Sequence, residues 1–195
     1  MKEFLHIAEQ NQKRAYEVIK EIKIIPLWES IGAMVNLVGS LKTGFLMKSQ
    51  DIDFHVYTNE LRVSESFSVI EQLAENPAIT HIEYGNGINT EEECIEWHVL
   101  YNSPANGLWK LDMIHIRKGS KYDGYFEEVA DRINKRITQE EREAILQLKY
   151  ETPESDKIMG IEYYRAVMEY GVRTYKDFKF WRKEFSIGGV MEWMP

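Results

Sequence analysis

Cysteine is all but missing from this chain: Cys94 is the only one in 195 residues. An intrachain disulfide and a Cys-rich zinc site are both excluded, and the composition fits a reducing compartment. Long apolar runs are missing too, since nothing approaches the roughly 18 to 20 residues that span a bilayer. The N-terminal "MKEFLHIAEQNQKRAYEVIK" is amphipathic and charged, without the continuous apolar stretch of a signal peptide. A cytoplasmic protein without membrane partners is therefore expected. Positive charge is in deficit, with 24 Lys and Arg against 32 Asp and Glu and a formal net charge of −8. That balance disfavours broad binding along a phosphate backbone, so long nucleic acid is not the expected partner. There is also no internal repeat, low-complexity tract or long linker.

What is present is a chain of ordinary globular composition, 44% hydrophobic and 29% charged, long enough for one domain with a small appendage. In "FLHIAEQNQKRAYEVIKEI" the apolar residues recur at near-helical spacing, which predicts one or two amphipathic helices over a sheet. "AMVNLVGS" reads as a buried strand ending at glycine and "DIDFHVYT" as a strand with strict alternation. "SESFSVIEQLAENP" reads as a helix with Ser64 as its N-cap and Pro77 as its stop. "ITHIEY", "CIEWHVLY" and "LWKLDMIHI", separated by the turn-rich "GNG" and "NSPANG", predict three antiparallel strands. From Tyr122 onward the periodicity is helical to the end, with a break at Pro153. The fold class is α+β, divided into a domain over residues 1–120 and a helical region over 121–195.

The chemistry concentrates in "GSLKTGFLMKSQDID", residues 39 to 53. Alternation puts Asp51, Asp53, His55 and Tyr57 on one face of their strand and Ile52, Phe54 and Val56 on the other. Two like charges on one partly buried face repel by ~4 kcal/mol at ~4 Å and an effective dielectric near 20, which favours a bound cation or a raised pKa. Magnesium, with its preference for carboxylate and phosphate oxygens, is the natural cation. Asp112, on the face of its strand that also carries Lys110 and Ile114, is the third carboxylate of a set suited to a two-metal phosphoryl-transfer site. It is placed to help deprotonate an acceptor hydroxyl. A surface carboxylate paired to Lys110 is the competing reading, as a solvated edge strand is for Asp51 and Asp53.

Ahead of the aspartates, Gly39 allows close backbone approach to a ligand, Ser40 offers a hydroxyl, and Gly44 permits a tight turn, so the loop could cradle a triphosphate. Lys42 and Lys48 flank it within reach of phosphates or of solvent. This is not a Walker loop, because Phe45 and Leu46 stand where Lys and Ser or Thr are required; nor is "GNGINT" a dinucleotide fingerprint, because Thr90 replaces the third glycine.

"VGSLKTGFLMKSQDIDFHV" resembles the signature of the DNA polymerase beta-like nucleotidyltransferase superfamily: a hydrophobic strand, Gly-Ser, a glycine four residues after the serine, and Asp-x-Asp beginning eleven after it. The motif covers about residues 35 to 57, and a compatible strand order extends the likeness to about 117. The resemblance implies a mixed β-sheet with helices on one face and a C-terminal helical region. It implies a Mg²⁺-dependent enzyme, with two ions held by Asp51, Asp53 and Asp112, that moves a nucleoside monophosphate from NTP, with ATP the default, to an acceptor. It also implies nucleotide contacts at Gly39, Ser40, Lys42 and Gly44. The acceptor is then a small molecule or a protein, and the alternative is a non-catalytic nucleotide-binding or toxin-neutralising protein with the same fold. Which NTP, which acceptor and which oligomeric state stay open at this level.

The remaining chemical residues read more plainly. His55, His98, His115 and His81 lack zinc-ligand spacing, although His55 continues the aspartate face. The C-terminal aromatics Tyr163, Tyr164, Tyr170, Tyr175, Phe178, Phe180, Trp181 and Phe185 recur at helical spacing and read as core, with a base-stacking wall as the competing reading. Arg165 and Arg173 have glutamates enough to pair with.

Overall fold

A computed structural model describes residues 2–185 and 192–195 of the chain. Helices α1 (Glu3–Ile22) and α2 (Ile24–Glu29) lead into strand β1 (Met34–Leu37), helix α3 (Gly39–Thr43), strand β2 (Asp51–Thr58) and helix α4 (Val63–Ala74). Strands β3 (Ile79–Gly87), β4 (Cys94–Ser103) and β5 (Gly107–Arg117) follow, then helices α5 (Tyr125–Arg136), α6 (Gln139–Glu151), α7 (Gly160–Met168) and α8 (Tyr175–Phe185).

The five strands form one mixed sheet in the order β1-β2-β5-β4-β3. β1 runs antiparallel to β2, β2 parallel to β5, and β5, β4 and β3 are antiparallel neighbours. Because β2 alternates, Ile52, Phe54 and Val56 are buried in one cluster with Trp109, Leu111 and Met113 of β5 and Ile95, Trp97 and Val99 of β4. Val18 and Ile22 of α1, Trp28 of α2 and Val69 and Leu73 of α4 close over that face. The other face of the sheet is left for the site. A second cluster joins Phe4 and Ala8 of α1 and Phe45 and Met47 to Ile145 and Leu148 of α6, Tyr163 and Tyr164 of α7 and Phe178 and Trp181 of α8. The C-terminal aromatic stripe is largely core, as its spacing predicts.

Three local expectations are corrected. The polar loop after the first strand begins as a short helix, α3, closed by Gly44 in the left-handed conformation. The first strand is an edge strand on which Met34 is exposed, because β2 covers only one of its sides. Helix α4 starts ahead of Ser64: Arg62 is its N-cap residue, with no side-chain cap, and the Arg62 carbonyl accepts the Ser66 N–H at 3.1 Å.

Candidate active site

The strand register brings the aspartates together. Asp53 of β2 lies directly opposite Asp112 of β5, and Asp51 opposite Lys110, all on the open face. On the far side of β5, His98 of β4 lies opposite Asp112. Asp112 is held from two sides: Lys110 Nζ lies 2.9 Å from Oδ2 and His98 Nδ1 2.5 Å from Oδ1. The pairing with Lys110 that the sequence allows is thus made, and His98 joins it. Asp51 and Asp53, in contrast, have no side-chain hydrogen bond acting on their titration, only burial and charge. Burial first, then repulsion by Asp112 and Asp51, pushes the Asp53 carboxyl up to about 7. Burial and Asp112 likewise raise Asp51.

α3 seats its backbone against this group. Gly39 takes φ +63°, and a Cβ there would stand 2.1 Å from Asp53 Oδ2, so only glycine lets the chain pass so close to the carboxylate. The Val38 N–H donates to the Asp53 carbonyl at 3.0 Å, tying the start of α3 to β2. Ser40, next in line, shares a 3.2 Å hydrogen bond with the Tyr164 hydroxyl and accepts one of 2.8 Å from Lys149 Nζ. Lys149 Nζ also donates to the Phe45 carbonyl at 2.8 Å. Burial lowers Lys149 to about 8 against the opposing pull of Asp53 and Asp51. An amine desolvated beside carboxylates is a ready counter-charge for an incoming phosphate.

These groups line one cleft of about 1140 Å³, which runs from α3 and the α6–α7 connection across β2 and β5 to β4. Gly39, Ser40, Asp51, Asp53 and Asp112 line it; Lys42 and Gly44 do not. Lys42 turns its amine to within 3.6 Å of Asp131 on α5. Gly44 faces α6, where a Cβ would meet Arg142 Nη1 at 2.8 Å.

The sequence reading does not single out Lys149 or His98 as site residues, and it takes Tyr164 with the core aromatics. Lys149 follows Ile145 by four residues and Leu146 by three, both buried, so α6 turns it inward; that faint signal is the only one the sequence carries. α6 itself starts on a full capping box, Thr138 with Glu141, which fixes where Lys149 falls.

As to metal, the donor set fits a hard divalent cation: carboxylate oxygens crowded together, two of the three side chains without a side-chain hydrogen bond among the described residues, and one pressed against backbone that leaves no space for a side chain.

No protein-family model and no curated protein sequence matches the chain. Solved structures do. A mutant of the Cid1 poly(U) polymerase bound to MgATP matches with a TM-score of 0.60 and 13% identity over 90% of this chain and 58% of that one. A cytoplasmic RNA terminal U-transferase matches with a TM-score of 0.54 and 14% identity over 83% and 51% of the two chains. The non-canonical poly(A) polymerase complex GLD-2–GLD-3 matches with a TM-score of 0.53 and 12% identity over 87% and 53%. The chain spans little more than half the length of these structures. It has the nucleotidyltransferase fold, the α+β class its motif implies, and its structural neighbours are polymerase-type nucleotidyltransferases. Among the described residues no helix is long and apolar enough to cross a membrane.

Proposed function

We propose that the chain is a nucleotidyltransferase that moves a nucleoside monophosphate from NTP to an acceptor hydroxyl and releases pyrophosphate. The observation that carries this reading is the pair of carboxylates Asp51 and Asp53 on one face of β2, both raised by burial and by repulsion from Asp112, with Asp53 in register with Asp112 and against the backbone of Gly39. Asp51, Asp53 and Asp112 would hold Mg²⁺, which supplies neutralisation of phosphate charge when bound. Ser40, Lys149 and Tyr164 bind and orient the triphosphate from the α3 side. The acceptor oxygen attacks the α-phosphorus in line, its proton passes to Asp112, and the bond to the pyrophosphate oxygen breaks with its electron pair. Lys110 and His98 hold Asp112 in position for that transfer. ATP is the first nucleotide to test, and residues 1–120 carry the carboxylates while 121–195 complete the triphosphate side. Cytoplasmic location and a small-molecule acceptor remain part of this reading.

The test is pyrophosphate release with each NTP, Mg²⁺ and pooled acceptors. Asp51→Asn and Asp53→Asn are expected to fall to background with unchanged circular dichroism. Full turnover in both variants sinks the mechanism. MgATP binding without turnover by the intact chain would favour the non-catalytic alternative.

A further inference from the structure

Four side chains on the open face of the sheet stand at the corners of a small rectangle. Asp51 and Asp53 come from β2, Lys110 and Asp112 from β5, and the register sets Asp51 opposite Lys110 and Asp53 opposite Asp112. Neighbouring strands lie about 4.8 Å apart and alternate residues of one strand about 6.5 to 7 Å, so all four side chains rise from one patch. All four line the cleft. Three corners are carboxylates; the fourth is an ammonium.

That fourth corner is tied in place. The Lys110 N–H donates to the Gln50 carbonyl at 2.8 Å, which joins the β5 backbone to the residue before Asp51. Lys110 Nζ donates to Asp112 Oδ2 at 2.9 Å, its one hydrogen-bond partner among the described residues. An ammonium has three N–H donors, so two are left for other acceptors. His98 holds Asp112 from the other side, with Nδ1 2.5 Å from Oδ1, and both oxygens of this carboxylate therefore carry a donor. The lysines on the other side of the cleft are directed elsewhere, Lys149 to Ser40 and the Phe45 carbonyl and Lys48 to the Thr152 carbonyl.

A two-ion site sets its ions roughly 3.5 to 4 Å apart among shared carboxylates. Magnesium binds a carboxylate oxygen at about 2.1 Å, so an ion on Asp112 Oδ2 would lie close to Lys110 Nζ. Their repulsion is twice that of two unit charges at the same distance. Charge balance in the nucleotide-free site points the same way: one divalent ion and one ammonium neutralise three carboxylates, whereas a second ion leaves an excess of positive charge.

We propose that Lys110 takes the place of a second ion: the site holds one divalent ion among Asp51, Asp53 and Asp112, one fewer than the resemblance implies, and the Lys110 ammonium supplies the positive charge on the acceptor side. This rests on the nucleotidyl-transfer reading for the reaction, not for the ion count. Lys110 gives up no proton. It steadies the negative charge that gathers on the acceptor oxygen while that oxygen's proton passes to Asp112, its electron pair forms the bond to the α-phosphorus, and pyrophosphate leaves with the electron pair of the broken P–O bond.

Manganese counts the ions. Mn²⁺ is titrated into the intact chain, alone and with an equal concentration of an ATP analogue whose α–β bridge is a methylene group, and the electron paramagnetic resonance of free Mn²⁺ is followed. One bound ion per chain is expected for the intact protein and for Lys110→Arg, which keeps the charge. Two are expected for Lys110→Met, which keeps the stem and loses the charge. Two ions on the intact chain, or none, overturns the proposal. So does a count that stays at one in a Lys110→Met protein that circular dichroism shows to be folded. If the analogue fails to bind the intact chain, the nucleotidyl-transfer reading falls instead, and the count with Mn²⁺ alone still decides the role of Lys110.

Discussion

His115 shows how much a single ring can constrain a strand. It is fully buried, edge-on to Trp28 at 5.1 Å, with Nε2 2.8 Å from the Thr58 hydroxyl oxygen. That hydroxyl donates to the Glu60 carbonyl, so the ring must donate through Nε2, and Nδ1 is left without a partner. A second proton would put charge into an apolar pocket, and burial lowers the group from the ordinary 6.5 to about 4. The unfolded chain therefore takes up a proton that the folded chain refuses. Stability from this residue is complete above pH 6.5 and drains away as the pH falls toward about 4. Over that window the loss is of order ~3 kcal/mol. Urea midpoints at the two ends of the window should differ strongly for the parent and less for His115→Gln; equal slopes would show that the ring titrates freely.

At the scale of elements, α3 is where sequence and structure meet least comfortably. Gly39 carries both a left-handed backbone and contact with Asp53, whereas Gly32 has a similar φ of +77° and nothing within 4 Å of its would-be Cβ. Both alanine substitutions incur the left-handed penalty, about 1–2 kcal/mol. Only Gly39→Ala also collides with a carboxylate, so it should be clearly the more destabilising of the two by thermal melting. Equal costs would mean that α3 shifts freely. The strands were readable because alternation is strict where one face is buried: Asp51, Asp53 and Asp112 could be assigned to the open face from spacing alone, and they are there. α3 was not readable, since five residues are too few to show a period. Nor were the partners of Ser40. Lys149 and Tyr164 arrive from more than a hundred residues away, and nothing local in "LQLKYE" or "IEYYRA" says which element they will face. The fate of Lys42 was equally hidden, because it depends on Asp131 of α5 standing nearby.

For the whole molecule, the important fact is that its two hydrophobic clusters share elements. Phe45 and Met47 come from the first 120 residues but are buried among Ile145, Leu148 and Tyr164, and Phe4 and Ala8 of α1 join them there. A piece ending at residue 120 would expose all four, with apolar surface worth about 25 cal/mol per Å². That piece is expected to bind a hydrophobic dye and to lack a cooperative melt, while the full chain unfolds in one transition followed by tryptophan fluorescence and circular dichroism together. A sharp melt of the piece would mean that the clusters fold independently.

Helix α1 also behaves as a tie-rod. One end is bolted into the sheet core through Val18 and Ile22, the other into the helical cluster through Phe4 and Ala8, all within one helix of 20 residues. Moving the sheet core away from the helical cluster would strain one of these two packings. Between α6 and α7, Pro153, Glu154, Asp156 and Lys157 are solvent-exposed and line the same cleft as the aspartates.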